Sequence, residues 1–575
     1  MMNGFRTLAG AALAAVLVTP AYAQDTTAPV SEATAPAAVD VSAPAADESS
    51  FSFADESSAS SDALSQELDA LLKDDDQKLV SFGLKGYYRV RGIYLDQPDL
   101  SDTERPHNLS FMQHRLWLSP EMTLNKKPAV KLTADILVGE GLEPCSDASL
   151  QGIHTHPCTG MWGTNGDNLL DTNSADQVAN ITVARLWGEA LTPVGVIRLG
   201  RQPSHWGLGL FSNDGQHKQW FGDNHRADTY DRLAFATKPM GEDSNLIVAL
   251  VGDKIVEGSP TLSATGHGNK DDVLEAIGLV LYNTDPLKLG FYQVFRKQVD
   301  TSSQVHISDI YGYLDIGLLY GGFEMFWLYG KTEALPIVTV QSQVDLLYPE
   351  VKLNVWSWAA ELGLRGRSYD GLVRFGSAGG DNNETDDREV QTFTLNSNYR
   401  AGLIMWDYAN ANRAERVLQA KLAQLEYLRD NGRATQNQIN EVLKVADLNR
   451  TRGGINNAFF VNPVVNYKLG DSASVRGGVL WAQANDDIFL IGYPNQYSPV
   501  GRNYGWEFDI GADYNIAKSF SLGFEGAYLL PGDAFNRVES VRDPASGQLV
   551  PIAGSLIKPD HARLAMLRAT WNIDY

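Results

Sequence analysis

Residues 501–535 read GRNYGWEFDIGADYNIAKSFSLGFEGAYLLPGDAF. In the first half, Trp506, Phe508, Ile510, Ala512 and Tyr514 alternate with Glu507, Asp509, Gly511, Asp513 and Asn515. Side chains along a strand repeat every two residues, so this segment has one apolar face and one acidic face. Residues 516–519 supply a short turn, after which Phe520, Leu522, Phe524, Gly526 and Tyr528 restore the apolar face. A soluble sandwich would lay that face on a core. A transmembrane barrel would turn it to lipid and the acids to a lumen.

The start of the chain favours the second reading. Arg6, the apolar run 8–18 and Ala21-Tyr22-Ala23 have the order of a secretory signal ending at residue 23. No later apolar run approaches the roughly 20 residues that a membrane-spanning helix needs. Without Arg6, 46 of the 47 Lys and Arg remain against 70 Asp and Glu, a net charge of −24. That acidity argues against nucleic acid as a partner, because phosphates require a basic surface. With 23 Tyr, 12 Trp, 21 Phe and 52 Gly in a chain without long apolar runs, the composition suits an outer-membrane barrel facing lipid.

Cys145 and Cys158, the only two cysteines, flank His154 and His156 in a Gly/Pro/Asp-rich stretch. In an oxidising compartment they most simply pair as a disulfide that closes a loop. A metal site there is the alternative, although metal sites usually show a fuller ligand set.

Residues 24–77 form a periplasmic segment, disordered at first because it is rich in Ala, Ser, Thr and Pro. It ends in a short amphipathic helix, where Leu64, Leu68, Leu71 and Leu72 share a face and Ser61 is placed to cap. From residue 78 to 575 the period is two, and eighteen strands can be counted. Short turns at 125–128, 192–195, 283–286, 368–371, 469–472 and 516–519 interleave with long polar links. That asymmetry is expected of an up-and-down antiparallel barrel with tight periplasmic turns and long outer loops. Residues 391–408 look strand-like in part, but counting them would exchange the two rims. Residues 378–455 are therefore one insertion, outer or folded into the lumen. It carries a helical hairpin: Leu418, Leu422, Leu425 and Leu428 give one stripe, Asn431-Gly432 a break, and Ile439, Val442 and Leu443 a second.

With apolar faces outward, the opposite faces should line a pore. On the first strand these are Lys85, Arg89 and Arg91. Later strands add Arg115, Arg185, Arg198, Arg232 and Arg296, then Arg365, Arg367, Arg374, Arg476 and Arg568. The acidic set is Glu275, Glu324, Glu361, Glu507, Asp509, Asp513 and Glu525. An Arg or Lys facing lipid at mid-depth costs about 2–4 kcal/mol, so these charges must face water or one another. They either neutralise each other across the lumen or filter hydrophilic solutes. No catalytic, cofactor or metal motif stands out, which makes an enzyme the less favoured class.

The last strand, Arg563 to Tyr575, alternates and ends on an aromatic residue. It resembles the terminal signature by which the outer-membrane assembly machinery recognises barrels. Leu199-Gly200-Arg201-Gln202-Pro203 with Trp206-Gly207, and Leu529-Leu530-Pro531-Gly532-Asp533, resemble elements of the alginate-export family of outer-membrane channels. That resemblance implies an 18-stranded monomeric barrel conducting polysaccharide or small hydrophilic solutes. The helical insertion and the acidic-leaning composition depart from an alginate channel, and the 199–207 stretch together with the long insertion looks closer to porin-like relatives. The expected function is a porin-like channel for passive diffusion of small hydrophilic solutes. A conduit exporting a secreted polysaccharide and a non-conducting adhesin or receptor are the alternatives.

Overall fold

A computed structural model of the chain describes residues 79–97, 108–124, 129–139, 181–223, 228–254, 273–334, 337–381, 388–413, 425–439, 451–488, 501–542 and 549–575, with residues 100 and 161–162, and excepts positions 242, 300, 335–336, 341–343 and 452. The signal segment, the segment 24–77 with its helix, and Cys145 and Cys158 lie outside the described residues.

Eighteen of the described strands form the wall. The first six are β1 Val80–Asp96, β2 Asn108–Leu124, β3 Val130–Gly139, β4 Thr182–Thr192, β5 Gly195–Pro203 and β6 Thr229–Thr237. Next come β7 Leu246–Lys254, β8 Val273–Asn283, β9 Leu287–Gln298, β10 Ser303–Asp315, β11 Leu319–Thr332 and β12 Val351–Arg365. The last are β13 Tyr369–Ala378, β14 Ala458–Lys468, β15 Ala473–Gln483, β16 Asn503–Ala517, β17 Phe520–Pro531 and β18 Ala562–Asp574. Each pairs antiparallel with its neighbours in sequence, and β1 pairs with β18 from Lys85↔Asp574 to Asp96↔Arg563. The ring is closed. Two 2.9 Å backbone bonds between Leu84 and Tyr575 carry the seam to the terminal residue. Closure satisfies the backbone groups that a sheet edge would leave bare in hydrocarbon.

The outer face is apolar where the alternation placed it. Trp506, Phe508, Ile510 and Tyr514 are exposed on β16, while Glu507 and Asp509 between them are buried. Toward the long-loop rim, Trp327 stacks on Trp356 at 5.1 Å, and Trp481 lies 6.2 Å from Trp506. Toward the short-turn rim, Phe520 stacks on Trp571 at 4.6 Å, with Tyr88 on its other side at 5.7 Å. Trp506 and Tyr514 are eight residues apart, which at ~3.3 Å per residue and a tilt of 35–45° separates the girdles by about 20 Å. That is close to the roughly 25 Å apolar band of a membrane barrel. No helix among the described residues is long and apolar enough to cross a membrane.

Two details differ from the sequence reading. The link between β9 and β10 is only residues 299–302, closed by a Ser302 N–H to Val299 bond of 3.2 Å, so one connection on the long-loop rim is tight. β10 starts at Ser303, and its first half departs from the expected apolar-outward alternation. The reason is that Val305 and Ile307 are fully buried and point inward, reversing the apolar-outward pattern. At that height the wall packs on apolar side chains inside the ring.

Candidate functional site: the lumen and its two inward-folded loops

That packing comes from two connections that fold into the ring. The first is loop 204–228, between β5 and β6. Its Trp206, Leu210, Phe211 and Phe221 are buried in the same apolar cluster as wall residues Tyr292, Val305 and Phe326. The second is the insertion between β13 and β14, whose Phe393, Leu395, Ile404, Met405 and Trp406 join that cluster. Phe393 packs on Phe211 of the first loop at 6.2 Å and on Phe326 of the wall at 4.9 Å. The insertion is therefore folded into the lumen, and residues 391–408 add no strand to the wall.

Its helical hairpin is visible around the turn. Leu425, Leu428 and Ile439 are buried, and Gly432 breaks the helix with φ +67°, a conformation glycine adopts without strain. Thr435 then caps the second helix reciprocally, with Gln438 N–H donating to Thr435 Oγ1 at 3.3 Å and Thr435 N–H donating to Gln438 Oε1 at 2.8 Å.

Wall carboxylates hold both loops by their backbones. Glu507 of β16 accepts the N–H groups of Leu403, Ile404 (2.8 Å) and Met405 (2.7 Å), which begin the single helical turn Met405–Asn410. That turn has no side-chain cap of its own, so a wall residue satisfies its free N–H groups. Glu324 of β11 accepts the N–H of Leu208 and, at 3.2 Å, that of Leu210. Each anchor follows a glycine in the left-handed region: Gly402 (φ +82°) and Gly207 (φ +59°). A Cβ at Gly402 would lie 2.9 Å from Glu507 Oε1, and one at Gly207 would lie 2.5 Å from Glu324 Oε2. The glycines let successive N–H groups converge on a carboxylate, an anion-binding nest.

The far end of loop 204–228 is tied to the barrel seam. Asp223 meets Arg89 at 3.0 Å, Arg91 at 3.3 Å and Arg568 at 2.8 Å, and Gly222 N–H donates to Glu525 Oε2 at 2.9 Å. Arg568 continues to Asp513 at 3.1 Å, and Arg476 bridges Asp513 and Glu525. β11 stands eight strands round the wall from β1, so the loop crosses nearly the full lumen. The two loops also join each other: Asn396 N–H donates to the Leu210 carbonyl at 2.8 Å, and Asn396 Nδ2 donates to Asp228 Oδ2 at 2.7 Å.

Other interior charges form ladders between adjacent strands. Arg185 faces Asp135 at 3.2 Å, Arg198 faces Glu189 at 3.0 Å, Arg232 faces Asp253 at 2.6 Å and Arg296 faces Glu275 at 2.6 Å, each pair directly opposed in register. Glu361 is likewise opposed to Arg374, whose Nη2 donates to Asn462 at 2.7 Å and whose Nη1 donates to the Arg400 carbonyl of the insertion. Arg365 of β12 reaches past β11 to Asp315 of β10 at 3.3 Å. Opposite charges so placed stabilise a sheet by roughly 0.2–1 kcal/mol per pair. In these opposed pairs, charge neutralisation runs along the wall between neighbouring strands.

Of the residues expected to line a pore, Arg89, Arg91, Arg115, Arg185, Arg374, Arg476, Glu324, Glu507, Asp509 and Glu525 are inward and buried. Arg198, Arg232, Glu361, Arg365 and Asp513 are inward and half-buried. Lys85 is exposed near the short-turn end of β1, and Arg367 is exposed in the turn after β12. Arg89, Arg91, Arg185, Arg374, Arg476, Glu324, Glu507 and Glu525 face loop backbone, polar or ion partners. The sequence reading missed Asp223, Asp135, Glu189 and Asp253. The last three sit at inward positions of their strands, where the period-two count could have found them.

No family model and no curated protein matches the chain. Among solved structures it is similar to the anion-selective porin from Comamonas acidovorans, at 8% identity, covering 86% of this chain and 100% of that one with a TM-score of 0.38. It is also similar to OccK2 (OpdF) of Pseudomonas aeruginosa in complex with glucuronate, at 10% identity, covering 85% and 96% with a TM-score of 0.42. A third likeness is to OmpT of Vibrio cholerae, at 10% identity, covering 88% and 100% with a TM-score of 0.32. Likenesses this distant establish neither a family nor a cargo, and the alginate-export resemblance gains no support from them.

Proposed function

We propose that the chain is an outer-membrane channel for small hydrophilic solutes, narrowed by two loops folded into its lumen. The observation that carries the reading is the crossing of a closed, lipid-faced ring by loop 204–228, held at Glu324 on one wall and at Arg89, Arg91 and Arg568 on the other. An adhesin or receptor gains nothing from ordered polar anchors inside the ring. A channel gains a narrowed passage whose width depends on them. The expected signal at 1–23 and the terminal strand fit export and insertion by the outer-membrane assembly machinery.

A gated conduit for a secreted polysaccharide is the second reading. It is favoured by the dry contact between Phe211 and Phe393, which joins the two loops into one partition. Liposome swelling with purified protein separates the readings. Uptake of monosaccharide-sized solutes supports the diffusion channel, and swelling only after the insertion is removed supports the gated conduit. No swelling in either form overturns both.

A further inference from the structure

Loop 204–228 doubles back on itself after leaving β5. Trp206 N–H donates to the Ser212 carbonyl at 3.1 Å, and Asp228 N–H donates to the Asn213 carbonyl at 2.8 Å. The Trp206 indole is fixed on the wall, stacked on Tyr292 at 5.1 Å and donating through Nε1 to Asp309 at 3.0 Å. This folding brings His205 beside Asp214 and His217. His205 Nδ1 lies 3.4 Å from Asp214 Oδ1, His217 Nε2 lies 3.6 Å from the same oxygen, and the imidazoles stand 4.2 Å apart at 71°.

We propose that His205, Asp214 and His217 form a binding site for a divalent transition metal, with Zn2+ as the ion whose coordination it matches. Two imidazoles and one carboxylate are a ligand set of catalytic-type zinc sites, which keep a fourth position for water or solute. Tetrahedral ligands at 2.0–2.1 Å from zinc lie about 3.3 Å from one another. The two nitrogen–oxygen distances are within a few tenths of an ångström of that, and all three ligand atoms fall within 4.8 Å.

The surroundings orient the ligands as outer partners do in metal sites. The Gly207 carbonyl accepts from His205 Nε2 at 3.2 Å, which leaves Nδ1 as the lone-pair nitrogen turned toward the carboxylate. Nδ1 is buried and has no hydrogen-bond partner, and in the tautomer that donates from Nε2 it turns a lone pair toward the carboxylate. Arg185 holds the Asp214 carbonyl at 2.9 Å, and Gln216 N–H holds Oδ1 at 3.0 Å. All three side chains keep partial exposure to the lumen, which gives an ion a route in and a free coordination position. Bound there, the metal ties both arms of the doubled-back loop together at the point where it enters the lumen.

The test is calorimetry on the full-length, untagged protein in detergent, stripped with EDTA and titrated with ZnCl2, with CaCl2 and MgCl2 as controls. The expected result is one saturable Zn2+ per chain, no comparable binding of Ca2+ or Mg2+, and at least tenfold weaker Zn2+ binding in His205→Ala and in His217→Ala. Heat-modifiable migration on mild-detergent gels shows whether each variant still forms the barrel, and His217→Gln gives a milder second variant if His217→Ala does not. Absence of 1:1 Zn2+ binding in the unaltered protein overturns the proposal. So does unchanged affinity in folded variants, which would place the ion elsewhere, for example at His154 and His156.

Discussion

Glu507, on the barrel wall, accepts the backbone N–H of Ile404 at 2.8 Å across 103 residues of sequence. The same carboxylate takes Leu403 and Met405, so a single wall side chain caps the start of the insertion's helical turn. Loop and wall are coupled through it.

Glu507→Gln tests that coupling. The variant keeps one acceptor oxygen but turns an N–H donor toward the turn. Hydrogen bonds to a charged group contribute about 1.5–3 kcal/mol each, and 1.4 kcal/mol is tenfold in population. The expected outcome is at least a tenfold rise in the time spent in higher-conductance states, measured on single channels, with heat-modifiable migration unchanged.

Gly402→Ala should act on the same anchor. A left-handed backbone costs a non-glycine residue about 1–2 kcal/mol, and the added Cβ meets Glu507 Oε1 at 2.9 Å. Combined with Glu507→Gln, its effect on open probability should fall well short of the sum of the two, because both remove one contact. Additive effects would show that Gly402 acts elsewhere.

Asp223→Asn leaves Arg89, Arg91 and Arg568 without the carboxylate that they share. The lumen gains positive character at the seam. The reversal potential in a KCl gradient should shift toward anion selectivity, and the shift should shrink as salt rises toward 1 M, where the screening length is about 3 Å.

Burial pushes the Asp228 carboxyl up to about 7 from an ordinary 3.8, against the hydrogen bonds from Asn213 and Asn396 that favour its ionised form. Between those values the docked loops keep Asp228 protonated while released loops leave it ionised. Docking is therefore favoured at low pH and weakens as pH rises from about 4 to about 7. Channel conductance should rise across that window, and Asp228→Asn, which cannot ionise, should flatten the rise.

The wall was legible in the sequence because lipid imposes a strict alternation on every strand. Trp506, Phe508 and Ile510 had to face one way and Glu507 and Asp509 the other, and a one-residue slip would have exchanged them. What the acids face was not legible. Glu507 and Glu324 bind backbone N–H groups, which every residue but proline carries, so no side-chain motif marks their partners. Gly207 and Gly402 are the only local traces, and among 52 glycines they do not stand out. The break in the alternation of β10 has the same origin: Val305 and Ile307 face inward because apolar loop side chains lie inside.

The central claim is that the insertion folds into the lumen and narrows it. Single-channel recording on the full chain and on a form with residues 382–455 replaced by a short Gly/Ser linker tests it directly. A severalfold larger conductance step in the shortened form, with barrel migration retained on mild-detergent gels, is the predicted result. Equal conductance in the two forms would contradict the account, because the insertion would then lie outside the conducting path.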